Sequence, residues 1–271
     1  MLAGIVQGVT EFLPVSSSGH LVILHTLFGE GDGSNLAFTV FLHLATLLSV
    51  IIVFHKDVLS LFREFLSFSA DCFRGKPSIR TPERRFLIMI ILGSIPAAVV
   101  GGLLVLLNYD DVLENIFVVA VMLLITAALM FLVDKLGKGR KTEKNAPIGT
   151  AWVVGLFQAI AILPGLSRSG STIFGGLVSG FTKEFAVRFS FILSIPTIIG
   201  AGLVQLISLV RSDSISVEPL YWLVGFAAAT LCGVFAIKFI KVLIQSSKFY
   251  IFSIYCLLAS AFAFLLGFGV I

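Results

Sequence analysis

Charge is scarce in this chain of 271 residues: 13% are Asp, Glu, Lys or Arg, against 58% hydrophobic. A soluble domain carries about 25% charged residues, so a water-soluble fold is excluded. Cysteine is nearly absent as well. Cys72, Cys232 and Cys256 have neither an even count to pair nor the close spacing of metal ligands, which argues against a disulfide framework and a zinc centre. Histidine occurs only at His20, His25, His43 and His55. The opening Met-Leu-Ala lacks a basic region and a clear small-residue cleavage site, so no cleaved signal peptide is expected. A net charge of +4 and a pI of about 9.1 would suggest nucleic acid in a soluble protein. Here the basic residues lie beside apolar runs, so they report topology and no nucleic-acid partner is expected.

What the chain has in abundance is apolar runs long enough to cross a bilayer, for which about 20 residues are needed. Six qualify: 36–54, 86–107, 115–133, 187–210, 219–238 and 249–268. The reading is an all-α integral membrane protein, one polytopic domain over 1–271.

Fifteen of the nineteen Lys and Arg residues fall in three segments: 55–85, 134–148 and 238–248. The positive-inside rule places these in the cytoplasm. The loops holding Glu30 and Asp32, then Asp110, Asp111 and Glu114, then Arg211, Asp213 and Glu218 are acidic or mixed and are expected outside. Parity then constrains the stretch 149–183. It starts inside, and span 187–210 must leave from inside, so 149–183 cannot cross once. It must be a re-entrant hairpin, broken at Pro164-Gly165, where proline removes a donor and glycine permits a tight turn.

The same polar skeleton occurs twice. Gly4, Gln7, Ser16, Ser18 and Gly19 recur as Gly155, Gln158, Ser167, Ser169 and Gly170, at one constant offset of 151 residues. Residues 1–30 are therefore expected to form a hairpin like that of 149–183. Each half, about 1–133 and about 149–271, becomes one re-entrant hairpin plus three spans, running in opposite directions. Inverted-topology repeats of this kind place their site at the repeat interface near the bilayer midplane.

The two copies carry different charges: Glu11 and His20 in the first, Arg168 in the second. Charge at membrane depth is costly and marks function by default, although a structural Glu11–Arg168 ion pair is the plainer reading. Gln7 and Glu11 share a helix face and can offer oxygens to a hard cation; a helix–helix hydrogen bond is as good a reading for Gln7. Ser16, Ser17 and Ser18 fall where a helix restarts after Pro14, a place for N-caps as much as for a nucleophile with anion-binding amides. His20, one turn beyond Ser17, is a candidate acid–base partner. Ser167-Arg168-Ser169, after a second Pro-Gly break, has the chemistry of a phosphate cradle. His25 and His43 are read as packing or interfacial residues and His55 as a boundary residue.

At these residues the sequence resembles the undecaprenyl-diphosphate phosphatase family of the bacitracin-resistance type. Its first motif corresponds to Gln7-Gly-Val-Thr-Glu11 with Phe-Leu-Pro-Val-Ser-Ser-Ser-Gly-His20, and its second to Pro164-Gly-Leu-Ser-Arg-Ser-Gly-Ser-Thr172. The likeness extends over essentially the whole chain. It implies a multi-pass enzyme of the bacterial plasma membrane. Such an enzyme hydrolyses undecaprenyl diphosphate to undecaprenyl phosphate and phosphate, recycling the carrier for cell-wall synthesis and removing the target of bacitracin. By resemblance, Glu11 and Gln7 hold a divalent cation, Mg²⁺ or Ca²⁺. Ser17 is the proposed nucleophile, with His20 or Glu11 taking its proton. Ser18, Ser167, Arg168, Ser169 and Thr172 hold phosphate. Many members have Glu where this chain has Gln7. His20 as nucleophile, or an activated water, is left open by the spacing. The rival is a polyprenyl-phosphate transporter or flippase using the same inverted repeat. The broader phosphatidate-phosphatase superfamily is rejected, since it needs a histidine after its Ser-Arg and none follows Arg168. Gly101-Gly102 and Gly200-Ala-Gly202 offer close helix contacts within a protomer or in a homodimer embedded among membrane lipids.

Overall fold

The computed structural model describes residues 1–28, 36–75, 78–79, 81–107, 115–136, 139–211, 219–246 and 248–270. Glu30, Asp32, Lys76, Arg80, Asp110, Asp111, Glu114, Lys138, Asp213 and Glu218, used above for topology, lie outside the described residues. Among the described residues every element is helical: α1 Leu2–Phe12, α2 Ser17–Phe28, α3 Leu36–Val53, α4 His55–Phe73, α5 Pro82–Leu106, α6 Ile116–Leu136, α7 Thr150–Ile160, α8 Arg168–Val178, α9 Lys183–Arg211, α10 Pro219–Ser246 and α11 Tyr250–Gly267.

Five stretches are long and apolar enough to cross a membrane unaided: Pro82–Leu106, Ile116–Leu136, Lys183–Val204, Trp222–Ser246 and Tyr250–Gly267. A sixth is added if α3 and α4, bent by 92° about Phe54, count as one span. The chain is thus an all-α multi-pass membrane protein. The segment 55–85, read from sequence as a loop, differs: most of it is α4. That helix turns its polar side inward, where Arg84 of α5 bonds Glu64 (3.0 Å), Asp71 (2.8 Å) and the Ser67 hydroxyl (2.9 Å), and Arg188 of α9 bonds Asp57 (2.7 Å). Leu59, Phe62, Leu66 and Phe73 are left on its outer side, all exposed.

The segments 1–28 and 149–183 each contain a helical hairpin. Helices α1, α7 and α8 have 11 residues and α2 has 12. At 1.5 Å per residue each reaches under about 20 Å, too short for a hydrocarbon core of about 30 Å. In the second hairpin Gly165 makes the turn at φ +90. A Cβ there would lie 2.5 Å from the Val119 carbonyl oxygen of α6. Thr126 of α6 pins the same turn: its hydroxyl donates to the Gly165 carbonyl (3.0 Å) and accepts from the Ser167 amide (3.1 Å). Gly165→Ala therefore combines a left-handed backbone with a clash, and should cost about 2–4 kcal/mol. Thermal unfolding in detergent reads this; a wild-type midpoint would contradict the turn described.

The hairpins are held by the opposite half of the chain. Helix α1 packs on α10, where a Cβ on Gly4 would lie 2.3 Å from the Gly225 carbonyl oxygen and one on Gly8 2.4 Å from that of Ala229. Helix α7 packs on α5, with Gly155 equally tight against the Gly93 carbonyl oxygen at 2.5 Å. Gly4 and Gly155 are counterparts under the 151-residue offset, so the two contacts are equivalent. The glycine pairs suggested for close packing behave otherwise. A Cβ on Gly102, Gly200 or Gly202 would meet nothing within 4 Å among the described residues, and one on Gly101 only an isoleucine methyl of Ile162 at 3.7 Å. Among the described residues they make no close backbone contact between helices.

Candidate active site

The two hairpins meet turn to turn. A Cβ on Gly19, in the first turn of α2, would lie 3.0 Å from the Gly165 Cα, and one on Gly170, in the first turn of α8, 3.3 Å from the Pro14 Cβ. Shifting Gly19 and Pro14 by 151 gives Gly170 and Gly165, so the contacts are again equivalent. The helix starts are capped alike. The Ser16 hydroxyl accepts from the Gly19 amide and the Ser167 hydroxyl from the Gly170 amide, both at 3.2 Å. One difference is backbone: Ser16 has φ 70, unusual for a residue other than glycine. Strain of this kind costs of order 1–3 kcal/mol and clusters at functional sites.

This junction brings the two unlike charges together. Arg168 Nη2 lies 2.5 Å from Glu11 Oε1, with side chains 17% and 7% exposed. The other carboxylate oxygen, Oε2, accepts from the Ser17 hydroxyl at 2.8 Å and from the Gln7 amide at 3.0 Å. Both oxygens of Glu11 are therefore engaged, by a guanidinium, a hydroxyl and an amide. An acceptor of ionised character on a serine hydroxyl is a base in contact with a nucleophile. An arginine fork beside it suits phosphate. Ser17 is half-buried and Ser18 exposed, so both can meet a ligand. Apart from the capped Gly19 and Gly170 amides, the first-turn amides of α2 and α8 lack an intrahelical partner, as at any helix N-terminus, and both helices start at this junction.

His20 is placed differently from the sequence expectation. It does not face Ser17. Its Nδ1 lies 2.7 Å from the Ser16 carbonyl oxygen and its Nε2 2.6 Å from the Tyr255 hydroxyl of α11. Helical side chains lean toward the N-terminus, and the ring accordingly folds back over Ser16. The Ser17 hydroxyl donates to Glu11 instead.

The remaining hydroxyls of the second motif lie beneath Arg168, not open to a ligand. Ser167, Ser169 and Thr172 are buried. Besides capping α8, Ser167 lies 3.1 Å from the Ser169 hydroxyl. Ser169 donates to the Leu13 carbonyl at 3.3 Å, and Thr172 lies 2.5 Å from the Ser190 hydroxyl of α9. In this arrangement they shape the start of α8 and so aim Arg168.

Two residues near the site gave no sequence signal of their own. Tyr255 lies in a largely apolar helix with no motif around it. His43 of α3, read as a packing residue, lies within electrostatic reach of Glu11. The counterpart of Gln7 is also instructive. Gln158 is 1% exposed with neither amide atom hydrogen-bonded, where Gln7 has Glu11. Position 162, the offset partner of Glu11, is isoleucine. One half of the repeat thus carries the acid and the other the base.

Similarity to known proteins gives the family. The family described as "Bacitracin resistance protein BacA" matches residues 1–262. The chain belongs to that family. A protein of Methanosphaera stadtmanae named undecaprenyl-diphosphatase is 39% identical over 265 residues, covering 94% of this chain and 92% of its own. One of Methanobrevibacter smithii with the same name is 40% identical over 273 residues, covering 98% and 95%. A third, of Alkaliphilus metalliredigens, is 37% identical over 260 residues, covering 94% and 93%. Both hairpins, five of the six expected spans and most of the sixth fall within the matched region, so membership in the BacA family applies to the architecture and not to one motif.

Proposed function

We infer that this protein hydrolyses undecaprenyl diphosphate to undecaprenyl phosphate and inorganic phosphate, the activity its BacA relatives are named for. The observation that carries the reading is the Ser17 hydroxyl donating to a carboxylate that Arg168 holds in place, at the junction of two helix starts. In the mechanism, the diphosphate takes Arg168 and the first-turn amides of α2 and α8 as its oxygen partners. Ser17 attacks the terminal phosphorus while Glu11 accepts its proton. The bond to the bridging oxygen breaks, and undecaprenyl phosphate leaves as an anion. Phosphate monoesters have a second pKa of ~6, so this departure needs no general acid. Glu11 then loses that proton to solvent; water attacks the phosphoserine while giving a proton to Glu11, which passes it to the Ser17 oxygen as the phosphorus–oxygen bond breaks and phosphate is released. Fixed donors aimed at the phosphoryl oxygens supply the main stabilisation.

A divalent cation, Mg²⁺ or Ca²⁺, is part of this proposal. The Gln7 amide nitrogen donates to Glu11 at 3.0 Å; with that amide turned over, one carboxylate plus an amide oxygen would suit a Mg²⁺ type of site in which substrate phosphates complete the shell. Among the described residues no group of three His, Cys, Asp or Glu side chains forms an all-protein cage. When bound, the ion would neutralise charge on the phosphate oxygens. Arg168 would first have to pass from Glu11 to the substrate.

The decisive experiment is phosphate release by purified protein in detergent, where no two sides exist. Wild type should release phosphate from undecaprenyl diphosphate. Chelator should lower the rate by at least about tenfold, and added Mg²⁺ or Ca²⁺ should restore it. Binding without release would overturn hydrolysis in favour of transport, and full activity in chelator would overturn the metal. A plasma-membrane location follows the same resemblance. A homodimer through the exposed Gly102 and Gly200 is the oligomer proposed, and the mass of the detergent-solubilised particle decides it.

A further inference from the structure

His20 is fastened at both ring nitrogens, and one fastening comes from 235 residues away in the chain. A backbone carbonyl only accepts, so the bond of Nδ1 to the Ser16 carbonyl oxygen requires a proton on Nδ1. In the neutral ring Nε2 is then the acceptor, and Tyr255 donates to it. The rings lie nearly parallel, 9° apart with centroids at 5.6 Å. Ser16 is also the cap of α2 and the residue with positive φ. Its carbonyl oxygen takes both the His20 amide (3.3 Å) and the His20 ring (2.7 Å). A continuous line of bonds therefore runs from α11 through Tyr255 and His20 to Ser16, the residue before Ser17.

Helix α11 reaches this tip at a second point, where the Cys256 thiol lies 3.6 Å from the Pro14 carbonyl oxygen. Its main packing is elsewhere, on α6, with Ser253 and Ser260 bonded to the Ala127 and Ala120 carbonyl oxygens at 2.7 and 2.6 Å. The helix is thus a fixed strut with one polar arm extended to the hairpin. Tyr255 is itself 45% exposed, on a side of α11 shared with exposed Ile251, Ile254 and Leu258. A hydroxyl on an apolar face is otherwise a cost, and a phenylalanine would fill the same space.

We propose that Tyr255 is a positioning residue for phosphoryl transfer. Its hydroxyl holds His20 in the Nδ1–H tautomer, and through His20 and the strained Ser16 it keeps Ser17 aligned with Glu11 and Arg168. The proposal rests on the phosphatase reading and adds a residue outside both motifs. It assigns the hydroxyl, not the ring, as the working part.

The test compares Tyr255→Phe, which keeps the stacked ring, with Tyr255→Leu, which loses it. Tyr255→Phe should lower kcat about tenfold, the loss of one aligning hydrogen bond, with KM within twofold and an unchanged thermal midpoint. Tyr255→Leu should match that loss in kcat and also unfold at lower temperature. In a His20→Ala background Tyr255→Phe should have no further effect, because the bond is already gone. Wild-type turnover in Tyr255→Phe would reduce Tyr255 to a packing residue and overturn the proposal, as would an equal loss in both backgrounds. A readout independent of turnover is the rate at which diethyl pyrocarbonate modifies His20, located by mass spectrometry. It should rise several-fold in Tyr255→Phe as Nε2 is freed. If wild type releases no phosphate but this rate still rises, the phosphatase reading fails while the Tyr255–His20 bond stands. An unchanged rate overturns the bond itself.

Discussion

Glu11→Ala is expected to reduce phosphate release by at least about a thousandfold, and also to destabilise the fold. The first effect is loss of the proton acceptor for Ser17, typically worth 10²–10⁴ in rate. The second arises because Arg168 stays behind, largely buried and without its carboxylate. Breaking one side of a buried ion pair costs about 3 kcal/mol or more. Arg168→Ala should fail in the converse way, leaving Glu11 with only Ser17 and Gln7 and the phosphate without its fork. The double variant should recover part of the lost stability and none of the activity. Thermal unfolding in detergent and phosphate release, measured on the same four proteins, separate the two effects. Turnover within tenfold of wild type in Glu11→Ala would remove Glu11 as the base.

Ser17→Ala is expected to lose activity on the same scale with little change in stability. Its hydroxyl contributes one hydrogen bond, about 1 kcal/mol, and Glu11 keeps both Gln7 and Arg168. The contrast with Glu11→Ala is the informative part: similar rates, dissimilar unfolding temperatures. With undecaprenyl diphosphate labelled in its terminal phosphate, an acid quench of wild type should trap label on the protein at Ser17. Ser17→Ala should trap none, while Ser18→Ala, which removes only a hydroxyl 3.3 Å from that of Ser16, should still be labelled. Near-normal turnover in Ser17→Ala would shift the nucleophile to a water activated by Glu11.

The hairpins were legible because Pro164-Gly165 and the repeated serine motif are local signals, and because charge parity forbids a single crossing of 149–183. The joining of Glu11 to Arg168 was legible only as a coincidence of two rare charges in matched segments. The roles of the serines were not. A serine at a helix start serves equally as a cap and as a phosphate ligand, and Ser16 and Ser167 turn out to cap while Ser17 turns to Glu11. Tyr255 and His43 were invisible for a different reason. Each lies in a largely apolar helix with no motif around it, and its relation to the site exists only across the packed bundle. Helix α4 escaped because Asp57, Glu64 and Asp71 find their partners on α5 and α9, pairings that a count of basic residues cannot register.

The crossed packing of the hairpins has a consequence for how the protein comes into being. Helix α1 leaves the ribosome long before α10, yet Gly4 and Gly8 are shaped for the carbonyl groups of Gly225 and Ala229 on α10. At 5–20 residues per second, synthesis of the intervening chain takes roughly 10–45 s. Through much of that interval Glu11 also lacks Arg168, which itself precedes α10 in the chain. The α1 segment must therefore wait for α10 before its packing is complete. A nascent chain released before α10 would hold a half-built hairpin, an easy mark for a membrane protease, and catalytic competence would arrive late and all at once.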